Sequence, residues 1–229
     1  MSCFTPVPEY SQGVAASRRD TDVPTTSYAV LGMLAIRPWS AYELNKQLRR
    51  SLAYCWPKTQ SVLYDEPKRL AALGWARSRS EPAGRRTRTV YEITRAGRAA
   101  LREWLATEPA EPRFEIETML RLLFADQGSK EDVLAAVRSM ADWAAAQGRA
   151  GLQQCEEYLT DGGPFPQRLH IIAPFALLVA SLFETLIAWS DQVSRDIEDW
   201  PGTKDIGMTS TARKQIEEVR DIAVRNLDR

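Results

Sequence analysis

The sequence has little of what most enzymes and secreted proteins need. Among its 229 residues it has one histidine, His170, so neither a histidine-rich metal site nor a Ser-His-Asp triad can be assembled from it convincingly. Its three cysteines lie far apart and form no CxxC pair, which argues against a zinc knuckle or a disulfide framework and favours a reducing cytoplasm. A glycine-rich phosphate loop and a nucleophile elbow are also missing. We therefore expect no enzyme activity, no cofactor and no metal.

The N-terminal segment also lacks regular patterns. It has no continuous apolar stretch, so we expect no secretory signal. Residues 1–24 contain three prolines and several serines and threonines without a sustained period, and we interpret them as a flexible tail.

The net charge is zero, yet the basic and acidic residues are distributed unevenly along the chain. Residues 18–103 hold 17 Lys and Arg against 8 Asp and Glu, whereas residues 107–229 hold 13 against 21. A basic half joined to an acidic half is typical of a nucleic-acid-binding module fused to a second domain.

Residues 25–107 show the pattern of three helices before a hairpin. The run "TTSYAVLGMLAI" (25–36) is apolar, and Pro38 stops it. The sequence "SAYE" (40–43) predicts a capping box that opens a helix with Leu44 and Leu48 on its inner face.

The third predicted helix lies within "TQSVLYDEPKRLAALG" and has two different sides. Val62, Leu63, Leu70 and Leu73 share one side, and Gln60, Ser61, Tyr64 and Lys68 share the other. Pro67 interrupts the pattern, because a proline inside a helix costs ~3 kcal/mol or more. We expect either a kink there or an irregular first part.

A hairpin and a fourth helix come next in the chain. Strands are predicted at residues 75–81 and 89–94, joined by a Pro-Ala-Gly-Arg-Arg turn in which Gly84 permits a positive φ. Thr94 then caps a helix whose buried stripe should contain Leu101, Trp104 and Leu105. This order is that of a winged helix-turn-helix, in which the third helix enters the major groove and the hairpin lies along the phosphate backbone.

The arginines of the hairpin suit this role, since planar guanidinium groups match phosphate geometry and each neutralised phosphate releases counterions. A hairpin made soluble by charge is the alternative, and Tyr64 is equally suited to packing between helices. The residues that we predict to contact double-stranded DNA are Lys58, Gln60, Ser61, Tyr64, Lys68, Arg85, Arg86 and Arg88.

Three stretches together resemble the PadR family of bacterial transcription regulators: "SYAVLGMLAIRPWSAYELNKQL", "SVLYDEPKRLAALGWA" and "GRRTRTVYEITRAGRAAL". The resemblance covers about residues 26–107 and, more loosely, the C-terminal part. It implies a homodimer that binds pseudo-palindromic operators, often as a repressor. It further implies that a small aromatic molecule releases this homodimer from the operator. It also implies that Ser61, Tyr64 and Lys68 face DNA from the recognition helix and that Arg85, Arg86 and Arg88 form the basic wing. Pro67 departs from the common family pattern of an uninterrupted helix.

The second half, residues 108–229, should be an α-helical dimerisation domain. A proline-containing boundary at residues 107–113 precedes a helix over residues 114–127, and "SKED" (129–132) predicts a second capping box. A stripe from Val133 to Leu159 comes after it, and further helices are expected at about residues 167–200 and 209–226. The fold class is therefore mainly α: an N-terminal winged helix-turn-helix and a helical C-terminal domain.

The stretch "IIAPFALLVASLFETLIAW" (171–189) is long enough to raise the question of a membrane. Glu184 lies inside it, and an acid near the middle of a membrane helix costs ~2.5–3.5 kcal/mol. We interpret it as a helix buried partly by its own subunit and partly by a partner, in a cytoplasmic protein that does not enter the membrane.

Two questions of function stay open from the residues. Trp104, Trp143, Phe183 and Trp189 either line a cavity for an aromatic effector or pack in cores and interfaces. The main hypothesis is a homodimeric DNA-binding regulator, and the alternative is a winged-helix adaptor that binds protein and not DNA.

Overall fold

A computed structural model describes residues 23–52, 60–84, 86–112 and 114–227. At residues 60–63 and 86 it describes the backbone alone. Residues 1–22 of the expected tail, together with Lys58 and Arg85, lie outside the described residues. The chain forms two compact units, which divide between Glu111 and Pro112.

The first unit is a winged helix-turn-helix. Its three strands form an antiparallel sheet in the order β1-β3-β2. The predicted order of helices and hairpin is confirmed, and with it the mainly α fold class. The elements are α1 (Thr25–Ile36), β1 (Trp39–Ser40), α2 (Ala41–Leu52), α3 (Gln60–Ala72), β2 (Ala76–Ala83), β3 (Arg86–Ile93) and α4 (Arg95–Leu105).

The core of this unit is built around α1, which is apolar on nearly all sides because α3, α4 and β3 all pack against it. Val30, Leu31 and Leu34 are buried there. Leu44 and Leu48 bury the inner face of α2, as its spacing predicts. Leu70 brings α3 into the same core.

Pro67 lies inside a helix and does not precede one. Helix α3 begins at Gln60 and runs through Pro67 to Ala72, so the expectation of an irregular first part is wrong. The proline ring is fully buried, and its apolar contacts offset part of the cost of the missing N–H.

The wing, which we define as β2 and β3, is longer than its sequence suggested. Each strand has eight residues and the connection is shorter than the predicted five-residue turn. Gly84 has a φ of 61°, the left-handed conformation expected at this position. Arg86 and Arg88 therefore belong to β3. The longer ladder forms because cross-strand backbone pairing continues through polar residues that carry no strand pattern.

Two apolar residues do not lie where their spacing placed them. Leu73 is 44% exposed and Leu105 is 67% exposed. Both are at or beyond the last turn of a helix, where the helical period no longer dictates which side is covered.

The second unit contains helices and no strand over its described residues. Its capping box is confirmed: Ser129 Oγ accepts from the Asp132 amide at 3.1 Å, and Asp132 Oδ2 accepts from the Ser129 amide at 3.2 Å. The first helix is shorter than expected and ends in a 3-10 turn. The elements are α5 (Glu117–Leu123), α6 (Lys130–Asp161), α7 (Leu169–Glu198) and α8 (Ser210–Leu227).

Helices α6 and α7 pack along each other and form the core of this unit. Val133 and Val137 at the start of α6 meet Ile197 at the end of α7, with Ala125 beside them. The predicted stripe on α6 is buried only in its first half. Leu152 is 60% exposed and Leu159 is 81% exposed.

Helix α7 is less covered than its sequence suggested. Leu177 and Leu178 are 69% and 60% exposed. The apolar window of the helix, within residues 166–198, has a mean hydropathy of 2.2 and only 6% of it is buried. Among the described residues this is the one helix long and apolar enough to cross a membrane, and a single such helix is weak evidence for a membrane protein.

Gly97 gives a stability prediction for the first unit. A Cβ at Gly97 would lie 2.1 Å from the backbone oxygen of Trp75, which also accepts from the Thr94 amide at 2.9 Å. Gly97→Ala should therefore destabilise the junction of wing and α4 by about 1–3 kcal/mol. Thermal unfolding followed by circular dichroism measures this. Gly32→Ala in α1, where a Cβ meets nothing within 4 Å, is the control and should be neutral or stabilising. Equal effects of both variants would contradict the prediction.

Candidate nucleic-acid interface

The outer face of α3 is the first part of the candidate interface. Lys68 is exposed, with 68% of its side chain accessible, and pairs with the exposed Asp65 of the same helix at 3.0 Å. Tyr64, one turn earlier, is half-buried, intermediate between the surface and core positions that its sequence context allowed. The backbone of Gln60 and Ser61 continues this helix, but their side chains lie outside what the structure describes.

The inner face of α3 is held by a buried carboxylate. The Ser27 hydroxyl of α1 donates to Glu66 Oε2 at 2.6 Å, and both residues are buried. Arg69 Nη1 lies 3.6 Å from Glu66 Oε1. A buried hydrogen bond to a charged group contributes about 1.5–3 kcal/mol, so this contact fixes how α3 sits on α1. The sequence pattern did not reveal it, since Glu66 and Ser27 are far apart along the chain.

The wing is lined by pairs of arginine and glutamate. The strand register places Arg77 opposite Glu92 and Glu81 opposite Arg88. Arg77 Nη2 lies 3.0 Å from Glu92 Oε2, and Arg79 Nη2 lies 2.8 Å from Glu81 Oε1. Arg77 and Arg79 are thus two further exposed cations of the wing, which our DNA-contact prediction did not include. Their alternation along β2 was visible in "ARSRSE", whereas their pairing with acids depends on the strand register.

Arg88 differs from the other described wing arginines because it bridges two elements. Its Nη2 lies 3.2 Å from Glu81 Oε2 on β2, and its Nη1 lies 3.0 Å from Glu43 Oε1 on α2. Arg86 is on the same strand, but its side chain is outside the described part. Those predicted DNA residues that the structure describes lie on two elements, α3 and β3. Among them, Lys68 and Arg88 form ion pairs with described partners.

Glu43 also closes the capping box of α2, as predicted. Its Oε2 accepts from the Ser40 amide at 3.0 Å and from the Ser40 hydroxyl at 2.8 Å, while its own amide donates to Ser40 Oγ at 3.3 Å. These hydrogen bonds from Ser40, and then the positive charge of Arg88, hold the pKa of Glu43 below its ordinary value.

The four aromatic residues considered for an effector site lie in different units. Trp104 belongs to the first unit and stacks on Tyr28, with ring centroids 5.0 Å apart. Trp143 and Phe183 meet edge to face in the second unit at 5.5 Å, and Phe183 is buried. Trp189 packs against the core formed by Ala125, Val133, Val137 and Ile197. The structure thus brings Trp143 and Phe183 into direct contact.

No group of three or more His, Cys, Asp or Glu side chains converges as a metal site among the residues that the structure describes. Within the same residues Cys155 is a free, exposed thiol.

Comparison with known proteins identifies one matching family and relatives of part of this chain. Residues 30–103 match the model of the transcriptional regulator PadR-like family. A probable transcriptional regulator of Mycobacterium tuberculosis is 34% identical over 86 residues, which are 37% of this chain and 45% of that protein. The negative transcriptional regulator PadR of Bacillus subtilis is 27% identical over 107 residues, 46% of this chain and 59% of that protein. The chain thus spans about half the length of these curated relatives.

Solved structures resemble this chain in fold over about three quarters of its length. Bacillus subtilis PadR in complex with operator DNA is similar with a TM-score of 0.64, at 19% identity, over 76% of this chain and 99% of that one. The same regulator in complex with p-coumaric acid has a TM-score of 0.60, at 20% identity, over 77% of this chain and 100% of that one. The resemblance to the PadR family is confirmed.

The lowered pKa of Glu43 predicts how stability depends on pH. A carboxylate whose pKa falls on folding stabilises the protein above its unfolded pKa, and this contribution is lost as pH falls through the folded pKa. Glu43→Gln mimics the protonated acid. Wild type should therefore exceed Glu43→Gln in stability near neutral pH, and the difference should shrink as the pH falls through the folded pKa of Glu43. Urea unfolding at several pH values measures the difference, and a gap that stays constant would contradict the assignment.

Proposed function

Because the chain carries a domain of the PadR-like family of transcriptional regulators over residues 30–103, we propose that it is a homodimeric DNA-binding repressor of transcription. Its target is a pseudo-palindromic operator. One observation carries the proposal: α3 presents Lys68 to solvent while its opposite face is anchored by the buried Glu66–Ser27 contact. A helix so anchored can enter a major groove without a change of packing.

In this proposal residues of α3, of the segment before it and of the wing make the DNA contacts. The residues are Lys58, Gln60, Ser61, Tyr64, Lys68, Arg85 and Arg86. The pairing of Lys68 with Asp65 does not compete strongly with a phosphate contact, because both side chains are largely exposed and such pairs contribute about 0–1 kcal/mol to stability. A phosphate offers Lys68 a charge-assisted bond and releases counterions as well.

The homodimer in this proposal is formed by the second unit. Ile171, Leu177, Leu178 and Leu182 of α7 are each between 41% and 69% exposed, and exposed apolar surface of this extent is typical of an interaction site. A second copy would cover it. Two linked winged helices then read two half-sites, which raises affinity through effective concentration.

The regulatory part of the proposal rests on relatives. Bacillus subtilis PadR is named a negative regulator and has been solved with p-coumaric acid. We place a small aromatic effector of this chain beside Trp143 and Phe183, whose rings already meet edge to face. Trp104 is engaged with Tyr28 in the other unit, and Trp189 is engaged with the core of its own. A protein of this kind works in the cytoplasm, with α7 covered by its partner and not by lipid.

The salt dependence of DNA binding tests the proposal. Replacing Arg85 and Arg86 by Ala should flatten the slope of log K against log salt by about two units, because each phosphate contact contributes about 0.9. Fluorescence anisotropy with duplexes selected by the wild-type protein from a random DNA pool measures this slope.

The matched control removes two exposed arginines from α4 of the same unit, Arg95→Ala with Arg102→Ala, and should leave the slope unchanged. An unchanged slope in the wing variant would exclude phosphate contact by the wing. If the wild type bound no duplex even at low salt and co-purified with another protein, the adaptor function would replace the regulator.

The dimer gives a separate prediction. Light scattering behind size exclusion should report about twice the chain mass of 25.8 kDa for the wild type. Leu178→Glu should shift the mass to that of one chain, because a carboxylate cannot be buried unpaired in an apolar interface. Leu178→Met keeps an apolar side chain of similar volume and should stay dimeric. A Leu178→Glu protein that remained dimeric would exclude this face of α7.

A further inference from the structure

Arg88 is at the middle of a chain of polar contacts that joins two separate elements. On one side the chain runs from Arg88 to Glu43 and from Glu43 to Ser40 at the start of α2. On the other side it runs from Arg88 to Glu81 and from Glu81 to Arg79 on β2. The wing and the N-terminus of α2 are thereby joined through one guanidinium group.

Every carboxylate oxygen in this chain of contacts is used. Glu43 Oε1 faces Arg88, and Glu43 Oε2 accepts from Ser40. Glu81 Oε1 faces Arg79, and Glu81 Oε2 faces Arg88. A phosphate that drew Arg88 away would therefore leave an oxygen of each acid without its partner.

The other two described wing arginines have fewer acidic partners and are more exposed. Among the described residues, Arg77 has one acidic partner, Glu92, and 70% of its side chain is exposed. Arg79 likewise has one described acidic partner, Glu81, and is 56% exposed, whereas Arg88 has two acidic partners and is 45% exposed. Arg88 is also the one among these three that reaches an element outside the wing.

We propose that Arg88 is a positioning residue that ties the wing to the N-terminus of α2, and that it makes no phosphate contact of its own. This inference rests on the proposed DNA-binding function and changes the role that the sequence assigned to Arg88. The β-ladder supports it, since Ser40 of β1 pairs with Val90, two residues from Arg88 on the same strand. The contacts of Arg88 with Glu43 and Glu81, which we call the tie, thus lie next to the backbone pairing by which the wing joins β1.

Electrostatics agree with a stable tie. The hydrogen bond to Glu81, and next the negative charge of Glu43, raise the pKa of Arg88 above its ordinary value. The pKa of Glu43 is lowered, first by the hydrogen bonds from Ser40 and then by the positive charge of Arg88.

The sign of one charge-removing substitution separates a positioning role from direct contact. Glu43→Gln deletes a negative charge from the DNA-binding unit and keeps a side chain that can complete a capping box. If Arg88 contacted phosphate, this variant would free Arg88 and bind DNA more tightly. If Arg88 positions the wing, the same variant should bind about two- to five-fold more weakly, the range expected for loss of an exposed ion pair.

The experiment measures binding of the full-length protein to a fluorescein-labelled duplex of mixed sequence at several salt concentrations. Glu92→Gln is the matched control, because it removes a wing carboxylate that contacts Arg77 and has no described contact with α2. Its affinity should be unchanged or higher. Arg88→Ala should weaken binding about as much as Glu43→Gln does. Tighter binding by Glu43→Gln would overturn the inference.

A second measurement needs no DNA. Hydrogen–deuterium exchange of the β3 amides in the free protein should accelerate about two- to five-fold in Glu43→Gln and in Arg88→Ala, and not in Glu92→Gln. Adding Glu43→Gln to Arg88→Ala should give no further acceleration, since the tie is already broken. Unchanged exchange in both single variants would overturn the tie even if the wild type bound no DNA. Failure of the regulator proposal would appear as absence of DNA binding by the wild type alone.

Discussion

A single carboxylate, that of Glu43, connects α2 with the wing, two parts that a winged helix must hold in a fixed relative position. One of its oxygens caps α2 through Ser40, and the other holds Arg88 of the wing. Helix capping and wing placement therefore depend on the same side chain. A hairpin of two strands is only marginally stable in water without further packing, so the wing needs β1 and such contacts to keep a defined orientation. Its orientation in turn decides whether wing and α3 can meet one duplex together.

The ion pairs of the first unit contribute little to the stability of the proposed DNA-binding surface. Exposed pairs such as Lys68–Asp65 and Arg77–Glu92 contribute little to stability, because water screens them and long side chains lose entropy when they are held. Such cations can exchange an acid for a phosphate at small cost. The pairing of Arg88 with two acids on different elements is different in kind, since one exchange would break two contacts. A count of basic residues treats these cations alike, although their environments separate them.

Local patterns in the sequence predicted the elements well and the long-range contacts poorly. Both capping boxes, the Thr94 cap and the glycine at the wing connection depend on neighbours within four residues, and all four are present. The Glu66–Ser27 hydrogen bond and the double pairing of Arg88 depend on tertiary packing and strand register, which no local period contains. Leu73 and Leu105 were misplaced for a related reason, since tertiary packing and not the helical period decides whether the end of a helix is covered. Of the candidate site, the sequence therefore predicted that Lys68 is exposed on α3, and it did not predict which cations are already paired with acids.

The second unit, by contrast, leaves much of the apolar surface of its helices exposed. Helices α6 and α7 bury their ends near Val137 and Ile197, yet the middle of α7 and the second half of α6 expose leucines. Leaving such surface in water is unfavourable by about 25 cal/mol per Å², so an occupant is expected. A bilayer would have to accept Glu184 within the apolar stretch, together with a helix that continues into Asp191, Arg195 and Asp196. Glu184 is exposed in the single chain. In the dimer proposed above, a second copy would cover the leucines of α7 and would bring two basic winged helices together. Coverage of α7 and recognition of a two-part operator would then be consequences of the same proposed association.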